Sequence, residues 1–200
     1  MRILVTGFEP FGGEGRNPSA EVVENLPQQV GTAEIVKAIL PVVRGRAARA
    51  VEEAVETFRP DVVLSIGQAG GRAAISVERV AVNLDDYRIP DNEGNQPAEE
   101  PVVPGGPDGY FCTVPAKKMV EAIQQAGIPA AQSLSAGTFV CNHVMYSALH
   151  LAAKKYPAMQ VGFIHIPYLP EQAADKPGQP SMSLELSSRG ILAALEALAE

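Results

Sequence analysis

Three side chains in this sequence have types and settings that could do acyl-transfer chemistry. Cys141 follows the run Ser135-Ala-Gly-Thr-Phe-Val and precedes Asn142-His143, where a glycine-containing turn enters an amphipathic helix. A thiol in the first turn of a helix lies in the positive end of the backbone dipole, beside amides with no intrahelical partner. That setting favours the thiolate, which is the nucleophile. Further on, Gly162-Phe-Ile-His165-Ile-Pro167 places a histidine at the end of a predicted strand. A cysteine and a histidine brought together form an activated pair. Glu78 lies in Ile75-Ser-Val-Glu-Arg-Val-Ala-Val-Asn-Leu84, and strand alternation puts it on the face of Val80, Val82 and Leu84. A carboxylate on an apolar face needs a partner. An imidazolium would serve; so would Arg79, or a bulge that turns Glu78 to solvent.

Each residue also has a plainer reading. Cys141 shares a helical stripe with Met145, Ala148 and Ala152, as a small buried hydrophobe would. His165 sits between Ile164 and Ile166, as a core histidine satisfied by a carbonyl would. His143 and His150 fall with Ser147 and Lys154 on the polar face of the Cys141 helix, which predicts solvation. No clustering suggests a metal site. Two glycine loops, at 7–13 and 67–71, lack the Lys-Ser/Thr of a phosphate loop and the Gly-x-Gly-x-x-Gly of a dinucleotide site. Phe8 and Phe11 in the first loop suit a flat, uncharged ligand, or simply pack the loop.

The elements that must position these residues alternate. Strands are predicted over 2–6, 34–43, 61–67, 75–84, 131–134 and 160–166, and helices over 18–26, 45–58, 115–126, 141–156 and 182–199. Asn17 caps the first helix and Pro18 opens it. Alternation of this kind implies a twisted, mostly parallel sheet covered on both faces. Ligands in such sheets bind beyond the carboxyl ends of the strands. The two glycine loops, His165 and the start of the Cys141 helix all fall at that edge. The segment 86–107, dense in Pro, Gly and Asn, is longer than an ordinary connection and is expected to serve function or assembly.

Composition bounds the rest. Two hundred residues fit one domain, and 46% apolar with 20% charged residues is the balance of a globular protein. A net charge of −7 argues against a nucleic-acid binder. No apolar run reaches the length of a membrane span, and the first strand is too short to be a signal peptide. Two cysteines, Cys112 and Cys141, make no disulfide framework, which points to a cytoplasmic setting.

Taken together, the segments resemble the pyroglutamyl peptidase I (pyrrolidone-carboxylate peptidase) family of cysteine peptidases. The resemblance rests on Thr6-Gly-Phe-Glu-Pro-Phe-Gly-Gly13 with Asn17-Pro-Ser19, on Gly67-Gln-Ala-Gly-Gly-Arg72 followed by Ile75 to Asn83, on Ile89-Pro-Asp-Asn92, on Ser135 to Asn142, and on Phe163-Ile-His165-Ile-Pro-Tyr168. It covers nearly the whole chain and implies one peptidase domain over 1–200 with an open α/β/α sandwich, phosphorylase/hydrolase-like in type. It further implies Cys141 as nucleophile, His165 as base and acid, and Glu78 as the carboxylate that orients the imidazole. Phe8, Phe11, Phe139 and Val140 match the lining of the family's pyroglutamyl pocket. Gln68 and Ile89 match positions near the ring, and Arg88 an arginine at the site's edge near the developing oxyanion. The implied substrates are peptides with N-terminal pyroglutamate, the implied assembly a homotetramer, with no metal or organic cofactor. The competing readings are a non-catalytic module that binds small cyclic ligands, and a related α/β hydrolase acting on another cyclic substrate.

Overall fold

The computed structural model describes Met1–Glu200. The chain runs β1 (Arg2–Phe8), α1 (Pro18–Asn25), β2 (Gln29–Val30), β3 (Ala33–Leu40), α2 (Arg46–Phe58) and β4 (Val62–Gln68). It continues with β5 (Ile75–Glu78), β6 (Val80–Val82), β7 (Gly109–Phe111), α3 (Ala116–Gln125) and β8 (Ala130–Ser133). The remainder is α4 (Val140–Lys155), β9 (Gln160–Ile166), α5 (Pro170–Ala173) and α6 (Leu184–Ala199). Seven strands form one sheet in the order β2-β3-β1-β4-β9-β5-β8. The pairs β1–β3, β1–β4, β4–β9 and β5–β8 are parallel, while β2–β3 and β5–β9 are antiparallel.

Central strands β1, β4 and β9 read as nearly continuous apolar runs because both their faces are covered. Helices α2 and α4 pack on each other, and α6 packs on α1 and α3, which gives two helical layers. Ile3, Leu4, Val5, Val63, Leu64 and Ile164 are fully buried between them, within one hydrophobic cluster of 50 residues. Helix α1 starts as its sequence dictates: Pro18 is in the first turn and Asn17 Oδ1 accepts from Ser19 N at 3.0 Å.

Several boundaries differ from the sequence reading. The predicted strand at 75–84 breaks at Arg79, whose N–H donates to Ser133 O and whose carbonyl accepts from Cys112 N. The chain there leaves the main sheet and enters a separate two-stranded ribbon of β6 and β7. Glu78 therefore shares no face with Val80, Val82 and Leu84. Strand β8 also runs against β9, because it is parallel to β5 and β5 is antiparallel to β9. The Cys141 helix thus reaches the site through residues 134–139 rather than by following a strand's carboxyl end. The second loop, at 167–180, contains the short helix α5.

The segment 86–107 carries no regular element but is tied down. Asp91 accepts from the backbone amides of Arg44, Glu93 and Asn95 at 2.7–2.9 Å. Asn92 Nδ2 donates to Pro10 O at 2.9 Å and Asn92 N to Val42 O at 3.0 Å. This fastens the segment to the loop that carries Phe11.

Candidate active site

Strand pairing brings the three chemistry-bearing residues together. Gly67 of β4 lies opposite His165 of β9 in parallel register. A Cβ built on Gly67 would come within 2.9 Å of Cys141 Sγ and 3.0 Å of the Phe163 ring. The sulfur therefore lies against the bare backbone of β4, on the sheet face that carries His165. The rings of Phe163 and His165 are 4.8 Å apart on that face. From the next strand, Glu78 Oε1 meets His165 Nδ1 at 2.7 Å. Nδ1 donates to this carboxylate, so Nε2 keeps its lone pair as an acceptor.

The cation beside Glu78 is Arg72, from the second glycine loop, and not Arg79. Arg72 Nη1 binds the same Oε1 at 2.5 Å, and Nη2 donates to Ser135 O at 3.1 Å. One carboxylate oxygen thus serves both the imidazole and the guanidinium. The other, Oε2, is buried without a partner. Ser133, the register partner of Glu78, donates its hydroxyl to Ser135 O at 3.2 Å and is placed to turn toward it.

Electrostatics correct the expectation of a resting thiolate. Burial pushes the Cys141 thiol up to about 12, and the Glu78 carboxylate adds to this. Arg72 and the cysteine's own N–H at the helix start pull the other way without winning. Burial also lowers His165, although Glu78 opposes it. Burial alone would raise Glu78, but His165, Ser133 and Arg72 hold it below its ordinary value. These shifts favour a neutral thiol, a neutral imidazole and an ionised carboxylate before substrate arrives.

Phe8, Phe11, Gln68, Phe139, Val140 and Cys141 line one small cavity. Its walls are close: the Phe11 and Phe139 rings are 5.9 Å apart, and Tyr87 meets Phe139 edge-on at 4.6 Å. The cavity is about 10 Å³, about the space of one water. Asn17 and Val42 complete the lining, and the sequence reading missed both. Asn17 already had a full explanation as a helix cap, so nothing in the sequence marked it as a wall. Ile89 stands behind the first glycine loop, with Cδ1 3.7 Å from where a Cβ on Gly12 would lie. Arg88 is exposed and lines an open cleft of about 510 Å³ that shares Phe11 and Gln68 with the closed cavity.

The histidines of α4 are not the solvated pair that their spacing predicts. His143 is buried, its Nδ1 donating to Asp85 Oδ2 at 2.8 Å while Nε2 accepts from Gly45 N at 3.3 Å. Asp85 also takes Arg44 Nε at 2.8 Å. His150 Nδ1 pairs with the Tyr110 hydroxyl at 2.9 Å. A polar helix face can pack inward when what faces it is polar too.

Known proteins match this chain from end to end. The pyroglutamyl peptidase family model matches residues 1–200. The chain belongs to the pyroglutamyl peptidase family. Membership makes it an enzyme of the cysteine peptidase type. It is 52% identical over 198 residues to the pyrrolidone-carboxylate peptidase of Levilactobacillus brevis, covering 99% of this chain and 97% of the relative. It is 53% identical over 204 residues to the Treponema denticola protein of the same name, covering 100% and 94%. The crystal structure of Bacillus amyloliquefaciens pyroglutamyl peptidase I superposes with a TM-score of 0.96 at 46% identity, over 99% of this chain and 96% of that one. A mutant pyrrolidone carboxyl peptidase from the hyperthermophile Pyrococcus furiosus superposes with a TM-score of 0.95 at 46% identity, over 99% and 98%. The open α/β fold expected from the sequence is the fold of this family.

Proposed function

We propose that this enzyme removes N-terminal pyroglutamyl residues from peptides, with Cys141 as nucleophile, His165 as general base and acid, and Glu78 as the group that orients and charges the imidazole. The observation that carries the reading is the 2.7 Å Nδ1–Oε1 contact made by a histidine whose strand partner, Gly67, lies under the cysteine sulfur. As Sγ attacks the pyroglutamyl carbonyl, its proton passes to His165 Nε2 and a tetrahedral oxyanion forms. Backbone N–H groups at the start of α4, which lack intrahelical partners, would donate to that charge, with Arg88 in the adjoining cleft. Collapse breaks the C–N bond, and His165 gives its proton to the leaving amine. The thioester is then hydrolysed by water that His165 deprotonates, which frees pyroglutamate and the thiol. Because burial raises the thiol and lowers the imidazole, we infer that substrate binding and attack, rather than a standing ion pair, drive the proton transfer.

Substrate choice follows from the lining. A pyroglutamyl ring is a flat lactam with no charge, so it enters an aromatic cavity without a desolvated ammonium. Binding requires Phe11 and Phe139 to separate around it. We further infer one peptidase domain over residues 1–200, which the continuous hydrophobic cluster supports. A cytoplasmic homotetramer is the assembly we propose. The large exposure of Phe111, 68%, and Leu134, 76%, supports burial of these side chains between subunits. Peptides, rather than nucleic acid or membrane, are the proposed partners; the acidic net charge of −7 supports this, and no helix is long and apolar enough to cross a membrane.

The test is release of a chromogenic amine from a pyroglutamyl amide. Activity should vanish on thiol alkylation and persist with chelators. Prolyl, glutaminyl and glutamyl amides should react at least about 10⁴-fold more slowly, as sites built around substrate hydrogen bonds allow. Comparable rates on prolyl and pyroglutamyl amides would refute the lactam pocket.

A further inference from the structure

Gln172, in the short helix α5, is buried, and its amide is oriented by the backbone. Oε1 accepts from Leu169 N at 3.0 Å, and Nε2 donates to Arg16 O at 3.3 Å. Turning the amide over would set N–H against N–H and C=O against C=O, so this orientation is fixed. Nε2 also donates to Gln68 Oε1 at 3.0 Å. The oxygen of Gln68 is thereby committed, and its N–H₂ group faces away from Gln172. No protein group accepts those hydrogens, yet they are not sealed in the core. Gln68 stands where the closed aromatic cavity meets the open cleft. A buried amide with a committed oxygen and an unpaired N–H₂ at the cavity wall is a donor waiting for an acceptor.

We propose that Gln172 is a specificity-positioning residue: it locks the Gln68 amide so that the ring pocket presents a donor, which reads the lactam carbonyl of the substrate. The inference rests on the pyroglutamyl reading above. Without the lock, Gln68 could present its oxygen instead, and the carbonyl would meet an acceptor. Gln172 touches neither the thiol nor the imidazole, so its effect falls on recognition of the ring and not on the bond-breaking step.

Gln172→Glu makes the test sharp. Its carboxylate still accepts from Leu169 N–H, but it requires a donor from Gln68 and so turns that amide over. The expected result is a KM for a pyroglutamyl amide raised about tenfold or more with kcat within about threefold, the signature of lost ring binding. The inhibition constant of 2-pyrrolidone, the bare lactam, should rise by a similar factor, while the alkylation rate of Cys141 stays unchanged. In a Gln68→Met background, Gln172→Glu should have no further effect on KM, because the two act as one unit. An unchanged KM in a folded Gln172→Glu enzyme overturns the proposal. So does an equal further loss in the Gln68→Met background, which would mark Gln172 as only an anchor for α5. If Gln172→Glu does not fold, Gln172→Met removes the donor without adding charge, and the same cycle decides. A wild-type enzyme that cleaves no pyroglutamyl amide would overturn the functional reading instead. Loss of 2-pyrrolidone binding in Gln172→Glu would then still support the lock, and its retention, or its absence from the wild type, would refute it.

Discussion

The oxygen Oε1 of Glu78 holds a guanidinium and an imidazole at once, and the two compete for it. Arg72 lowers His165 and Glu78 raises it, so removing either charge moves the base in a known direction. Arg72→Met should raise the His165 pKa and shift the acid limb of the kcat/KM profile to higher pH. Glu78→Gln should shift that limb to lower pH and reduce kcat by about 10²- to 10⁴-fold, the usual contribution of a well-held general base. A pH–rate series on both variants checks this; limbs that move together would show that neither charge faces the imidazole. The two thiols give a cleaner contrast. Cys141→Ser should abolish turnover with the fold intact, whereas Cys112→Ser should leave it nearly unchanged. Cys112 is buried beside Val114 and away from the cavity. The residue types left Cys141, His165 and Glu78 each with a plainer reading, and it was the order and spacing of whole motifs that implied their roles; the structure brings the three side chains together. The sequence could not point to Arg72, because only folding decides which of several arginines reaches a buried carboxylate. Nor could it set the protonation of the thiol. The helix start favours charge, burial opposes it, and burial is invisible until the chain is packed.

At the scale of elements, the sequence was legible wherever periodicity and capping agree. Asn17, Pro18 and the apolar runs of β1, β4 and β9 each specify one structure. The reading failed where the partner of a face decides. The strand at 75–84 looked continuous because β5 and β6 are both apolar; the break at Arg79 arises from bonds to Ser133 and Cys112, far away in sequence. His143 looked solvated because its neighbours on the helix are polar, yet Asp85 and Gly45 cover it. His143→Ala should therefore destabilise the protein by about 1–3 kcal/mol, because it strips a bond from a fully buried carboxylate. Urea denaturation measures this, and a change near zero would mean that water replaces the ring. Gly67 is the element-level requirement of the site. A side chain there would collide with Sγ and the Phe163 ring, so Gly67→Ala should displace the thiol and lower kcat by about tenfold or more. Slower alkylation of Cys141 should accompany the loss.

At the scale of the whole molecule, the site makes the fold sensitive to acid. Glu78 and His165 both have native pKa values below those of the unfolded chain. The native state therefore binds fewer protons than the unfolded one over that range, and stability falls as pH falls. The loss from His165 begins as pH drops through about 6.5, its ordinary value, and continues to its lowered native one. The loss from Glu78 begins near 4.5 and continues below it. Thermal unfolding between neutral and mildly acid pH should show Tm declining in two stages. Glu78→Gln should shrink the lower stage, leaving the part due to Asp91 and Glu21, which are also held low; an unaltered decline in that variant would assign the stage to those two alone.

The fastening of 86–107 to Pro10 and Val42 carries a consequence for how such an enzyme could be altered. In the proposed reaction, bond cleavage falls to side chains on β5, β9 and the start of α4. One wall of the proposed ring pocket, Phe11, instead lies on a surface loop that the 86–107 segment holds in place, while Tyr87 of that segment backs the Phe139 wall edge-on. A new ring size could be admitted by redrawing that loop and its tie, with the sulfur on α4, the imidazole on β9 and the carboxylate on β5 left untouched.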